Sequence, residues 1–101
     1  MEIKKGEVKM DFKLGQVVMT RGVNDTIADS SKFAKEVTEA FKKYCSCNWG
    51  DTCEEDAQMN DAAVRNDDDR VVAKYETCEG DIFIITEWDR SYTTILFPSE
   101  Y

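Results

Sequence analysis

A chain of 101 residues with 42% hydrophobic and 11% aromatic residues has the apolar mass for one core and one domain, and too much of it for disorder. Its net charge of −8 repels phosphate backbones and disfavours direct nucleic-acid binding. No run approaches the roughly 18 apolar residues of a membrane span, and Met1–Gly6 lacks an apolar leader core, so the expected setting is a reducing cytoplasm.

The opening stretch alternates loosely through Ile3, Val8, Met10 and Phe12, as an edge strand or a frayed arm does. Gln16–Thr20 reads as a short strand that Arg21-Gly22 ends. A helix is predicted from the N-capping Asp29-Ser30-Ser31 to about Tyr44, with Phe33, Val37, Phe41 and Tyr44 on one face and Lys42-Lys43 at its C-terminal pole. A second helix is predicted over Thr52–Arg65. Thr52-x-x-Glu55 reads as a capping box there, and Asp51, Glu54, Glu55 and Asp56 suit a positive helix N-terminus. Asn66-Asp67-Asp68-Asp69 stops it.

Val71–Thr77, Ile82–Thr86 and Tyr92–Phe97 are rich in β-branched and aromatic residues and separated by short polar turns. They read as an antiparallel meander, with the apolar run Ile82–Ile85 as its central strand. The expected fold is α+β: a three- to four-stranded antiparallel sheet with two helices on one face, in a monomer of one domain spanning 1–101.

Four cysteines and no histidine stand in the chain. Cys45, Cys47 and Cys53 crowd into one loop and Cys78 precedes a Glu79-Gly80 turn. In a reducing compartment this arrangement suggests one structural zinc held by four thiolates, clamping the interhelical loop to the sheet. The spacings depart from the usual C-x2-C pairs, so four separate thiols, some buried as small hydrophobes, and redox chemistry or a disulfide are the competing readings.

Without histidine the usual neutral general base and the Ser-His and Cys-His pairs are missing, and five scattered glycines form no phosphate loop, so no enzyme is expected. Residues 1–50 carry nine Lys/Arg against seven Asp/Glu, whereas 51–101 carry four against fourteen. The acids Asp51, Glu54, Glu55, Asp56, Asp61, Asp67, Asp68 and Asp69 therefore form the candidate surface for a basic protein partner. Asp67-Asp68-Asp69 lacks the alternation and central glycine of a calcium loop. Glu87-Trp88-Asp89-Arg90-Ser91-Tyr92 reads as a turn held by Asp89 hydrogen bonds and an Arg90 ion pair, or as an aromatic recognition edge.

The runs Gly15-Gln16-Val17-Val18, Asn48-Trp49-Gly50-Asp51 into Glu54-Glu55-Asp56, Asn60-Asp61, Ile84–Leu96 and Pro98–Tyr101 carry a resemblance. The chain resembles a family of small, largely uncharacterised bacterial proteins of plasmids, integrative elements and phages. The resemblance is good from Asn48 onward and poor over the first helix. In that family only the position of Cys53 is commonly cysteine, so Cys45, Cys47 and Cys78 depart from it. The resemblance implies a setting: proteins of this kind look like inhibitors of host defence, including anti-CRISPR proteins. Its most specific implication is a zinc-containing inhibitor of a type II CRISPR nuclease, whose positively charged nucleic-acid channels an acidic surface can occupy. The alternative is an accessory regulatory or scaffold subunit of a mobile element, acting through Trp88 and Tyr92.

Overall fold

The computed structural model describes residues 12–101; the strand or arm expected before Phe12 lies outside the described residues. In chain order the elements are β1 (Gln16–Met19), α1 (Arg21–Asp29), α2 (Ser31–Cys45), α3 (Glu54–Asn66), β2 (Val71–Thr77), β3 (Gly80–Thr86) and β4 (Tyr92–Leu96). A 3-10 turn over Pro98–Glu100 follows. The fold is α+β, with a four-stranded sheet in the order β1-β4-β3-β2.

β2, β3 and β4 form the expected antiparallel meander, with Ala73 opposite Ile84 and Ile84 opposite Ile95. β1 differs from expectation: it pairs parallel to β4, with Gln16 opposite Tyr92 and Met19 opposite Ile95. A parallel neighbour needs a crossover, and here nearly the whole helical part of the chain lies between the two strands. Gly15 makes the close approach possible. Its φ is +65°, and a Cβ there would stand 2.4–2.5 Å from the Ser91 and Arg90 carbonyl oxygens.

Among the described residues three helices form rather than two. α1 begins where a strand-ending turn was expected, because Thr20 caps it and Glu100 holds its first turn from the far end of the chain. The Thr20 hydroxyl accepts from Val23 N–H at 3.3 Å, while Glu100 accepts from the Thr20 hydroxyl and from Gly22 N–H. These donors hold the Glu100 carboxyl below its ordinary value, the Thr20 hydroxyl foremost. Gly22 in the first turn is a poor helix former, and it hides the helix from a propensity reading. α2 matches its prediction, with the Ser30 hydroxyl accepting from Phe33 N–H at 3.1 Å. Its buried stripe is Phe33, Val37, Ala40 and Tyr44, while Phe41 is half-buried.

One face of the sheet carries Val71, Ala73, Tyr75, Ile82, Ile84 and Ile95, packed with the α2 stripe, Val23, Phe12, Trp49 and Ala63 into one core. Phe12 and Trp49 both set their rings against Tyr44, at 5.6 and 5.5 Å. A chain of buried hydroxyls ties the layers together. Tyr44 Oη lies 2.6 Å from Thr86 Oγ1, which lies 2.7 Å from Thr93 Oγ1, which donates to the Leu14 carbonyl. Every hydroxyl in the chain is paired, so the polar atoms sit in the core without an unmet bond. Burial pushes the Tyr44 phenol well above its usual range. On the opposite face Phe83 meets the Tyr101 ring edge-on at 6.3 Å, and the Arg70 guanidinium stands over that ring.

Candidate functional site

The segment from Asn48 to Asp69 carries most of the expected interface acids, and the structure builds it against the outer edge of β2. Gly50, at φ +63°, lets the main chain run beside β2 as a parallel bridge to Lys74. A Cβ there would strike the Tyr75 ring. Asp51 N–H donates to the Lys74 carbonyl at 2.9 Å, and Asp51 Oδ2 accepts from Glu76 N–H at 2.9 Å. Thr52 Oγ1 accepts from Lys74 N–H at 2.8 Å. Nearly two turns into α3, Asn60 accepts from Val72 N–H at 3.1 Å and donates to the Val72 carbonyl at 2.8 Å. Asn60 thereby imitates a neighbouring strand. The outward main-chain groups of β2 from Val72 N–H to Glu76 N–H are thus met by this loop and helix.

Two expectations change as a result. Thr52 does not head a capping box; its hydroxyl donates to the Trp49 carbonyl and serves the sheet edge. The residue at the N-cap of α3 is Cys53, with no side-chain capping bond. Three acids in the first turn, Glu54, Glu55 and Asp56, complement the helix pole instead.

At its other end α3 is closed by Arg90. Asp67 at the C-cap and Asp69 are left-handed, at φ 53° and 60°. The buried Arg90 side chain reaches into this turn from the β3–β4 connection. Its Nη1 donates to the carbonyls of Asp69 at 2.6 Å and Glu87 at 3.2 Å, and its Nη2 to those of Ala63 at 3.0 Å and Asp68 at 3.3 Å. Its Nε makes no hydrogen bond, and the nearest anion is Asp67 Oδ1 at 3.5 Å. Arg90 is therefore mainly a carbonyl clamp, with the anticipated ion pair as a long and largely solvent-exposed addition. Asp89 acts as expected within its turn, accepting from Ser91 N–H at 3.0 Å.

The clamp has a consequence for the surface. It holds the Asp67–Asp69 turn against the Glu87–Arg90 turn, where Trp88 is 65% exposed. The acidic stretch and the aromatic turn, separate in sequence, are neighbours in space. The eight candidate acids divide by what they do. Asp51 serves the β2 edge, Asp61 accepts from the Trp49 indole N–H at 2.8 Å, and Asp67 faces Arg90. Glu54 accepts from Gln58 within α3. Glu55, Asp56, Asp68 and Asp69 have exposed side chains that join no ion pair among the described residues. Pairing within the fold thus leaves a row of carboxylates directed to solvent along α3 and the turn after it.

Comparison with protein-family models, with curated proteins and with solved structures finds no match to this chain.

The four cysteines lie at four places in the fold. Cys45 ends α2, Cys47 sits at φ 63° in the following loop, Cys53 caps α3 and Cys78 occupies the β2–β3 turn. No three Cys, Asp or Glu side chains gather into a group able to hold a metal ion among the described residues. Cys78 is tied to α2 instead: its main-chain N–H donates to Glu36 at 2.9 Å. The Cys78 thiol is pushed up by its hydrogen bond to the Glu36 carboxylate, and burial pushes the Cys45 thiol up. Both effects favour the thiol over the thiolate that a metal takes.

Proposed function

We propose that the protein is a non-enzymatic binding protein of a mobile element or phage that blocks a basic, nucleic-acid-handling protein of host defence, with a type II CRISPR nuclease as the specific candidate. The observation that carries this reading is the row of exposed carboxylates at Glu55, Asp56, Asp68 and Asp69, which join no ion pair among the described residues, together with the exposed Trp88. Acids on a basic partner's channel steer encounter, and a large exposed aromatic supplies the anchor that charge alone does not. The resemblance to small proteins of mobile elements supports the setting, and the host cytoplasm is its compartment.

The test is binding to a purified, guide-loaded type II CRISPR nuclease. Reversing Glu54, Glu55, Asp56, Asp68 and Asp69 to lysine is expected to weaken binding by about a hundredfold or more, equivalent to about 2.7 kcal/mol, and to lower the unfolding temperature because the first three acids complement the pole of α3, so binding is measured where circular dichroism shows the variant folded. Asp51, Asp61 and Asp67 are spared because each supports the fold. Added salt weakens the wild-type complex, since exposed charges are screened beyond about 8–10 Å. Unchanged affinity in the reversed protein overturns the reading. The exposure of Trp88 favours a second one, an accessory subunit of the mobile element itself. In that case Trp88→Ala abolishes association with an element-encoded protein while the charge reversal leaves it intact.

One structural zinc on Cys45, Cys47, Cys53 and Cys78 belongs to the same proposal, and it requires the Cys78 turn to leave Glu36 and join the loop after α2. Metal analysis of protein purified without chelator is then expected to find about one zinc per chain, lost in Cys45→Ser. Metal-free folded protein with four titratable thiols refutes it.

A further inference from the structure

The two edges of the sheet are treated in opposite ways. β2 is covered by Asp51, Thr52 and Asn60, whereas no described residue pairs with the outer edge of β1. In a parallel pair alternate residues bond the neighbouring strand. Gln16 N–H donates to Ser91 and Thr20 N–H to Ile95, so the two-residue period turns the main chain of Val17 and Met19 outward. No hydrogen bond among the described residues reaches either of them. The side chains are uncovered as well: Val17 is 42%, Val18 36% and Met19 45% exposed, and Tyr92 beside them on β4 is 45% exposed. Edges are ordinarily blunted by a charge, a proline or a bulge, and Gln16–Met19 contains no charged residue and no proline.

We propose that β1 is a strand-addition site that takes an extended segment of a different protein, apolar at alternate positions and flanked by carboxylates. The main-chain groups of Val17 and Met19 supply the ladder bonds. Val17 and Met19 receive apolar side chains on one face, and Val18 with Tyr92 on the other. Charge selects the occupant. Lys13 precedes the strand and Arg21 follows it, so carboxylates at both ends of the added segment are matched. A second copy is disfavoured, because antiparallel pairing about Val17–Val18 brings the Lys13 end of each chain against the Arg21 end of the other, in two chains of net charge −8. The inference is independent of the acidic surface, which lies on other elements.

The probe is a short capped peptide of alternating Val and Thr with Glu at each end, titrated into the full chain and followed by amide NMR and hydrogen exchange. The expected result is that the largest shifts fall on Val17 and Met19 and that exchange of these two amides slows at least about tenfold on saturation. Val17→Pro removes only an outward donor, so it should abolish the shifts while the protein stays folded. Met19→Lys, which keeps every main-chain group, tests the same edge through its side chains and should weaken binding. The five-fold lysine reversal on α3 and its following turn should leave peptide binding unchanged. Unmoved Val17 and Met19 amides overturn the proposal. So does a dimer in sedimentation whose Val17 and Met19 amides are already protected, since the second copy is then the occupant.

Discussion

Replacing Arg90 by alanine is expected to cost about 3–5 kcal/mol of folding stability, a large share of the roughly 5–15 kcal/mol that holds a domain of this size. The guanidinium serves carbonyls from three separate stretches: Ala63 in the last turn of α3, Asp68 and Asp69 after it, and Glu87 before β4. Each bond has a charged donor, and truncation leaves several acceptors in a part-buried site without a partner. Urea unfolding of the variant measures the loss. Two companions separate the causes. Asp67→Asn should cost under about 1 kcal/mol, because that carboxylate is mostly in water. Arg90→Gly should be less harmful than Arg90→Ala, because position 90 has φ 61°, which an L side chain adopts at a cost of about 1 kcal/mol. A loss below about 1 kcal/mol for Arg90→Ala would mean that water replaces the clamp. The same variant should also loosen the Trp88 turn from the acidic turn, visible as faster amide exchange in both.

Asn60→Ala is expected to cost about 2–4 kcal/mol, since the Val72 N–H and carbonyl both lose their partner in a site where Asn60 itself is only 3% exposed. Asn60→Asp is the sharper probe. The new group keeps an acceptor for Val72 N–H, but when ionised it turns a carboxylate toward the Val72 carbonyl. Burial and that carbonyl both raise its folded-state pKa above the unfolded value of about 3.9. A raised pKa means the protonated form is the one the fold tolerates. The cost of the substitution should therefore be smallest below about pH 4 and grow as pH rises through the folded-state pKa. Denaturant midpoints for both proteins across that range check the sign. A penalty independent of pH would show that the Val72 pairing is not made. The exposed β2 edge also predicts a greater tendency of Asn60→Ala to aggregate.

Much of the candidate site was legible, and the residues that were not share a reason. The acids from Glu54 to Asp56 and from Asp67 to Asp69 announce themselves by composition, and they lie on the surface as charges do. Asp51, Thr52 and Asp61 look the same in the chain but spend their oxygens on Glu76, Lys74 and Trp49. Asn60 carried no signal of weight, and Arg90 read only as half of an ion pair within its own turn. A side chain that bonds main-chain groups 12 or 27 residues away leaves no local period to read. The α1 helix had a cue in Thr20, hidden by Gly22 and completed only by Glu100.

The chain by itself determined the elements whose cause is local. Ser30 and the four-three spacing of apolar residues specify α2, the acid-rich first turn favours α3, and runs of β-branched residues between short turns make the meander. It also determined the uneven charge, which survives folding unchanged. Tertiary structure alone decided that β1 lies parallel to β4, that one sheet edge is covered while no described residue pairs with the other, and that the acidic and aromatic turns become neighbours. Each of those outcomes rests on main-chain hydrogen bonds between distant segments. Main-chain groups are the same in every residue, so their pairing is chosen by how the whole chain packs.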